Sequence, residues 1–118
     1  MNEVGKTYER PWGTYKTIEQ INNYQVKHIT VYPEKRLSLQ YHSHRNEYWT
    51  VVKGEGVAQL DDKIIKMSIG DFIVIPKLSK HRMTNQSKSE NLEFIEIQVG
   101  NYLGEDDIVR IEDDFDRM

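Results

Sequence analysis

Gln40, His42, Glu47 and His81 are the residues of this sequence whose side chains together could bind a metal. Two imidazoles, a carboxylate and an amide oxygen make a donor set for a divalent first-row ion. Zinc is the leading choice, and manganese, cobalt and iron are also compatible. His44 adds another ring nearby. A His-x-His pair on a strand can put both imidazoles on one face, so His42 and His44 are also spaced for chelation. An ordinary histidine pKa of about 6.5 suits His44 to acid–base work near neutral pH. Glu47 opens a strand row continued by Trp49 and Val51, so its carboxylate heads a largely apolar row.

These residues need strands to position them, and the chain reads as nearly all β. Short runs rich in Val, Ile, Thr and Tyr recur between turn signals, at 15–18, 25–32, 37–42, 48–52, 57–60, 64–67, 72–75, 81–85 and 92–99. Asp61-Asp62-Lys63 reads as a hairpin turn, and Pro33 and Pro76 end their strands. Many short strands at nearly regular spacing predict a sandwich or barrel. The first twelve or so residues read as irregular, with Arg10-Pro11-Trp12-Gly13 as an anchored loop. Residues 106–111 could form a helical turn. Trp12, Trp49 and Phe72 are expected in the core or lining the barrel.

Alternation leaves two faces open. In the segment 36–44, Arg36, Ser38, Gln40, His42 and His44 share one face, and Leu37, Leu39 and Tyr41 the other. The polar row is either ordinary exposed surface or the lining of a site. In the last long strand, Glu96 shares a face with Phe94 and Gln98 and would be a second acid–base candidate if that face turned inward. The opposite face, Ile95-Ile97-Val99, is apolar and the more natural core face.

Composition bounds the possibilities. At 118 residues the chain is expected to form a single domain, 1–118. It has no Cys, which excludes disulfides, zinc–thiolate sites and cysteine nucleophiles. The start of the sequence lacks the apolar core of a signal peptide, and no apolar run is long enough to span a bilayer. A soluble cytoplasmic protein is expected, with no membrane partner. The net charge is −3, and residues 105–118 carry seven acids against two bases. The absence of a basic run argues against nucleic-acid binding.

Two motifs add a resemblance. Cupin barrels carry G-x5-H-x-H-x3,4-E-x6-G followed by G-x5-P-x-G-x2-H-x3-N. The second motif fits at Gly70, Pro76, His81 and Asn85, with Leu78 where the motif has Gly. The first fits at Gln40, His42, Glu47 and Gly54, with Gln40 in place of the first histidine and Glu34 in place of the opening Gly. Three further stretches resemble the type II phosphomannose isomerase family. They are Arg10-Pro11-Trp12-Gly13, the segment 36–49, and the tail 99–110, Val-Gly-Asn-Tyr-Leu-Gly-Glu-Asp-Asp-Ile-Val-Arg.

The resemblance implies an all-β cupin double-stranded β-helix, a jelly-roll barrel. It implies a divalent metal held by Gln40, His42, Glu47 and His81, with His44 outside the ligand set. It also implies interconversion of mannose 6-phosphate and fructose 6-phosphate, and a homodimer. His44 or Glu96 would carry the proton, and Arg36 with Arg110 would hold the phosphate of the phosphosugar. Arg36 lies about 13 Å from Gln40 if the strand is extended at about 3.3 Å per residue. In this family the cupin domain often follows a guanylyltransferase domain. This chain has no Gly-rich nucleotide-binding segment, so transferase activity is not expected of it. Other readings remain: an isomerase or epimerase of another phosphosugar, a non-catalytic sugar-phosphate sensor or scaffold, and an iron-dependent oxygenase.

Overall fold

The computed structural model describes residues 2–117, and among them there is no helix. Eleven strands follow one another: β1 (Thr7–Arg10), β2 (Gly13–Ile21), β3 (Tyr24–Val31), β4 (Leu39–Tyr41), β5 (Arg45–Lys53), β6 (Gly56–Leu60), β7 (Lys63–Met67), β8 (Phe72–Ile75), β9 (His81–Thr84), β10 (Leu92–Gly100) and β11 (Val109–Glu112). They pair antiparallel into two sheets. One has the order β1-β2-β3-β10-β5-β8, the other β11-β4-β9-β6-β7. This is the two-sheeted, all-β arrangement that the strand count predicts.

The interior is built in layers. β3, β10 and β5 lie side by side, and register stacks their buried residues across the sheet. Leu92 faces Val31. Phe94 lies between Ile29 and Val51, Glu96 between Lys27 and Trp49, and Gln98 between Gln25 and Glu47. All are buried. The inward rows therefore run from apolar at one end of the barrel to polar at the other. Met83 and Ala58 of the second sheet, with Met67, complete the apolar end.

The open question about β10 is thus answered. Phe94, Glu96 and Gln98 point inward, while Ile97 and Val99 lie exposed on the outer face with Tyr48, Val52 and Val74. Phe72 joins that outer face at 72% exposure, contrary to the core position expected for it. Its neighbour Ile73, not Phe72, packs against the core.

The two ends of the chain are more ordered than the sequence predicts. Thr7–Arg10, read as irregular, pairs with Gly13–Lys16 as β1. The 106–111 segment forms no helical turn: the chain reaches β11, whose Val109 and Arg110 pair with Tyr41 and Gln40 of β4. The tail is therefore an edge strand of the second sheet.

Turn chemistry follows the motif even where its glycines are replaced. Glu34 has φ 62° and Leu78 φ 68°, both in the left-handed region that favours glycine. Gly54, which is retained, has φ 77°, and a Cβ there would meet the Asn91 carbonyl at 2.5 Å.

Candidate metal centre and its cavity

Three strand ends bring His42, Glu47 and His81 together at the polar end of the barrel. One donor atom from each lies within 4.8 Å of the others, and all three side chains are buried. His42 follows β4, Glu47 lies on β5, and His81 begins β9, where it pairs with Gln40.

Backbone carbonyls fix the two rings. His42 Nδ1 lies 2.6 Å from the Asp107 carbonyl, and His81 Nδ1 lies 2.8 Å from the Ser79 carbonyl. A carbonyl only accepts, so each Nδ1 carries a proton and each ring turns its Nε2 to the centre. These nitrogens face Glu47, with His42 Nε2 3.2 Å from Oε2 and His81 Nε2 3.4 Å from Oε1. Two imidazole nitrogens and a carboxylate converging on one point make a set of donors that stabilises a cation there. The donor set and its outer hydrogen bonds therefore fit a divalent metal.

The charges of the site follow from the same geometry. Burial, reinforced by Arg45 and His81, pushes His42 down to about 4, so it is neutral. Burial alone would raise the Glu47 pKa, but His81, His42 and Arg45 together hold it well below the usual carboxylate range. Burial opposes charge on His81, yet the Glu47 carboxylate raises its pKa above the ordinary value.

Glu96 sits beside this group without joining it. Trp49 Nε1 donates to it at 2.9 Å and Gln98 Nε2 at 2.6 Å. Burial, with the charge of Glu47 close by, pushes Glu96 up to about 7.

A cavity of about 110 Å³ opens over these residues, room for several waters or a compact polar ligand. Besides Arg45, four cationic side chains line it: Arg10, Lys27, Arg110 and Arg117. Lys27 is paired with Glu105 at 2.6 Å and Arg117 with Asp113 at 2.7 Å. Arg110 is different, because its Nε is buried and has no hydrogen-bond partner.

The expected site residues divide accordingly. Gln40, His42, Glu47, His81, Glu96 and Arg110 all line the cavity. Gln40 turns its amide nitrogen to Ser38, bonding Oγ at 3.1 Å. His44 and Arg36 are not among the lining residues. His44 has a side chain 53% exposed and lies 3.3 Å from Asp107. β4 ends at Tyr41, and the Asp107 carboxylate accepts from the backbone N–H of Ser43 and His44. That turn breaks the alternation that would have kept His44 beside His42. The Arg36 guanidinium is held by both oxygens of Asp114 at 2.8 Å. Arg45, Lys27 and Asp107 were not picked out by spacing. Lys27 shares the inward row of Gln25, Ile29 and Val31, a signal readable only once the register with Glu96 is known.

Comparison with known proteins agrees with this architecture. The family described as "Mannose-6-phosphate isomerase C-terminal" matches residues 1–113. The alginate biosynthesis protein AlgA of Pseudomonas aeruginosa is 49% identical over 108 residues, 92% of this chain and 22% of that protein. A mannose-1-phosphate guanylyltransferase of Escherichia coli is 40% identical over 117 residues, 99% of this chain and 24% of that protein. The chain thus spans less than a quarter of the length of these relatives. Among solved structures, a cupin-2 domain from Rhodospirillum rubrum superposes with a TM-score of 0.70 at 18% identity, covering 86% of this chain and 76% of that one.

Proposed function

The chain belongs to the mannose-6-phosphate isomerase C-terminal family, a cupin fold, and we propose that its cavity interconverts mannose 6-phosphate and fructose 6-phosphate with a bound divalent ion, zinc first among the choices. The observation that carries this reading is the convergence of His42, Glu47 and His81 next to a buried carboxylate that is not one of them, Glu96. An aldose–ketose isomerisation needs those two functions side by side.

The metal, held by His42, Glu47 and His81 with Gln40 adjacent, would supply positive charge beside the two sugar oxygens between which negative charge shifts. The remaining work falls to the chain. Glu96 takes the proton from C2 of the aldose and returns it at C1, while the hydroxyl proton passes from O2 to O1. Hydrogen bonds from Trp49 and Gln98 hold its carboxylate in place. Arg110, with an unpartnered Nε, is the donor best placed to bond a phosphate oxygen, and Lys27 and Arg10 line the same cavity with positive charge. His44 and Arg36, engaged with Asp107 and Asp114, have no part in this scheme.

A coupled assay of mannose 6-phosphate conversion, run with zinc, manganese or cobalt and with a chelator, tests the reading. Turnover should require metal. Glu96→Gln should lower kcat by about 10²–10⁴-fold while metal content is retained. Conversion that persists under chelation, or that survives Glu96→Gln, would sink it.

A further inference from the structure

Arg45 occupies the face of the metal centre that a metal would need. Its Nε donates to Glu47 Oε2 at 2.9 Å, and its Nη2 lies 3.2 Å from His42 Nε2. Those two atoms are the donors that Glu47 and His42 turn toward the centre. The side chain is only 7% exposed and buried in the same cavity, so this is no surface ion pair. A guanidinium is always charged, and it satisfies both a carboxylate and a ring lone pair through one planar fork.

Building on the reading that His42, Glu47 and His81 hold a divalent ion, we propose that Arg45 is the counter-cation of the metal-free site and must leave Glu47 and His42 for the metal to enter. Metal uptake is then an exchange of cations. Without Arg45, the Glu47 carboxylate and the His42 lone pair would stand buried against one another, a costly arrangement. With it, the three ligands stay together before any metal arrives. His42 Nε2 has a single lone pair, so arginine and metal compete directly for it, and a planar fork displaced from that arm cannot keep its two-point grip.

The strand limits how the arginine can move. Arg45 begins β5 and pairs with Gly100 of β10, which holds its backbone in the sheet. The backbone therefore stays where it is and the side chain swings about its own torsions. Two acids, Glu96 and Glu105, line the same cavity as Arg45. A displaced Arg45 remains inside the cavity as a donor for bound oxygens.

The test is a competition titration of zinc against a chromophoric chelator, with the wild type, Arg45→Met and Arg45→Lys. Methionine keeps the apolar stem and removes the competing cation. Arg45→Met should bind zinc at least about tenfold more tightly, the scale of one buried charge-assisted hydrogen bond. Its metal-free form should melt below the wild type and gain more on metal addition. Arg45→Lys should fall between. Independently of any variant, the Arg45 Nε–H resonance of the wild type should be protected from exchange without metal and lose that protection at one equivalent of zinc. Equal or weaker zinc binding by folded Arg45→Met, or an Nε–H signal unmoved by bound zinc, overturns the inference and leaves the metal reading standing. Failure of the wild type to bind any of zinc, manganese or cobalt overturns both. If Arg45→Met does not fold, the resonance titration decides alone.

Discussion

The two ends of this barrel are made from the same three strands and are equally buried, yet they hold together by different physics. At one end Val31, Ile29, Leu92, Phe94 and Val51 meet through contacts that need no particular orientation. At the other end, the continuation of the same rows gives Lys27, Gln25, Glu96, Gln98, Glu47 and Arg45. There each polar atom depends on a named partner: Lys27 on Glu105, Gln25 on Gln98, Glu96 on Trp49, Glu47 on Arg45. Trp49 is the hinge between the two, packing its ring at a 46° tilt against Phe94, 5.0 Å between centroids, and sending its N–H to Glu96. Burying charges gains little stability even when they are paired. The apolar end therefore accounts for the fold, and the polar end is retained for its chemistry.

The strongest way to break this division is Phe94→Ala. Phe94 is fully buried at the centre of the apolar end. Its truncation should cost about 3–5 kcal/mol of unfolding free energy. The drop in Tm should be at least about 10 °C for a domain of this size. Zinc affinity of the molecules that remain folded should change less than threefold. A comparable fall in zinc affinity would mean that the two ends are not separable.

Asp107→Ala attacks the other end with the opposite signature. The Asp107 carboxylate fastens the turn at Ser43 and His44, and its carbonyl orients the His42 ring. Alanine keeps the carbonyl but frees the segment that carries it. Metal affinity should fall about 10–100-fold, as expected when an outer partner of a ligand is lost. Stability should fall by only about 1–3 kcal/mol. A titration showing unchanged affinity would remove the tail from the metal centre.

This asymmetry also explains what could be read from the sequence. Runs of β-branched and aromatic residues mark most strands, and the motif spacing marks His42, Glu47 and His81, because both signals are local. The rest required pairing. β10 has an apolar face on both sides of half its length, so alternation alone left Glu96 undecided until its register with Lys27 and Trp49 set it inside. The 13 Å reach of Arg36 assumed one long extended strand, but β4 is three residues long and Asp114 of the tail holds the guanidinium. Arg45 was obscured by its neighbour His44. Strand β5 starts at Arg45, one turn after β4 ends, which puts Arg45 on the inward row with Glu47 and leaves His44 outside. The bonding of Asp107 to His42, Ser43 and His44, and the pairing of β11 with β4, join distant parts of the chain and are invisible to any local pattern.

The smallest effects come from the two turns that kept their shape after losing glycine. Glu34 follows β3 at the apolar end, and its N–H donates to the Ser87 carbonyl. Leu78 lies between β8 and β9 at the polar end, and its N–H donates to the His42 carbonyl at 2.8 Å. Each holds a left-handed φ that costs an L-residue about 1–2 kcal/mol. Glycine would remove that cost but lose roughly 0.5–1 kcal/mol to its greater freedom when unfolded. Glu34→Gly and Leu78→Gly should therefore each raise stability by about 0.5 kcal/mol, seen as a higher urea midpoint at an unchanged slope. Both preserve the backbone N–H, so neither should alter zinc affinity. If Leu78→Gly weakened zinc binding while Glu34→Gly did not, the stiffness of the Leu78 turn would be part of what holds His42. The polar end would then depend on backbone rigidity that the apolar end does without.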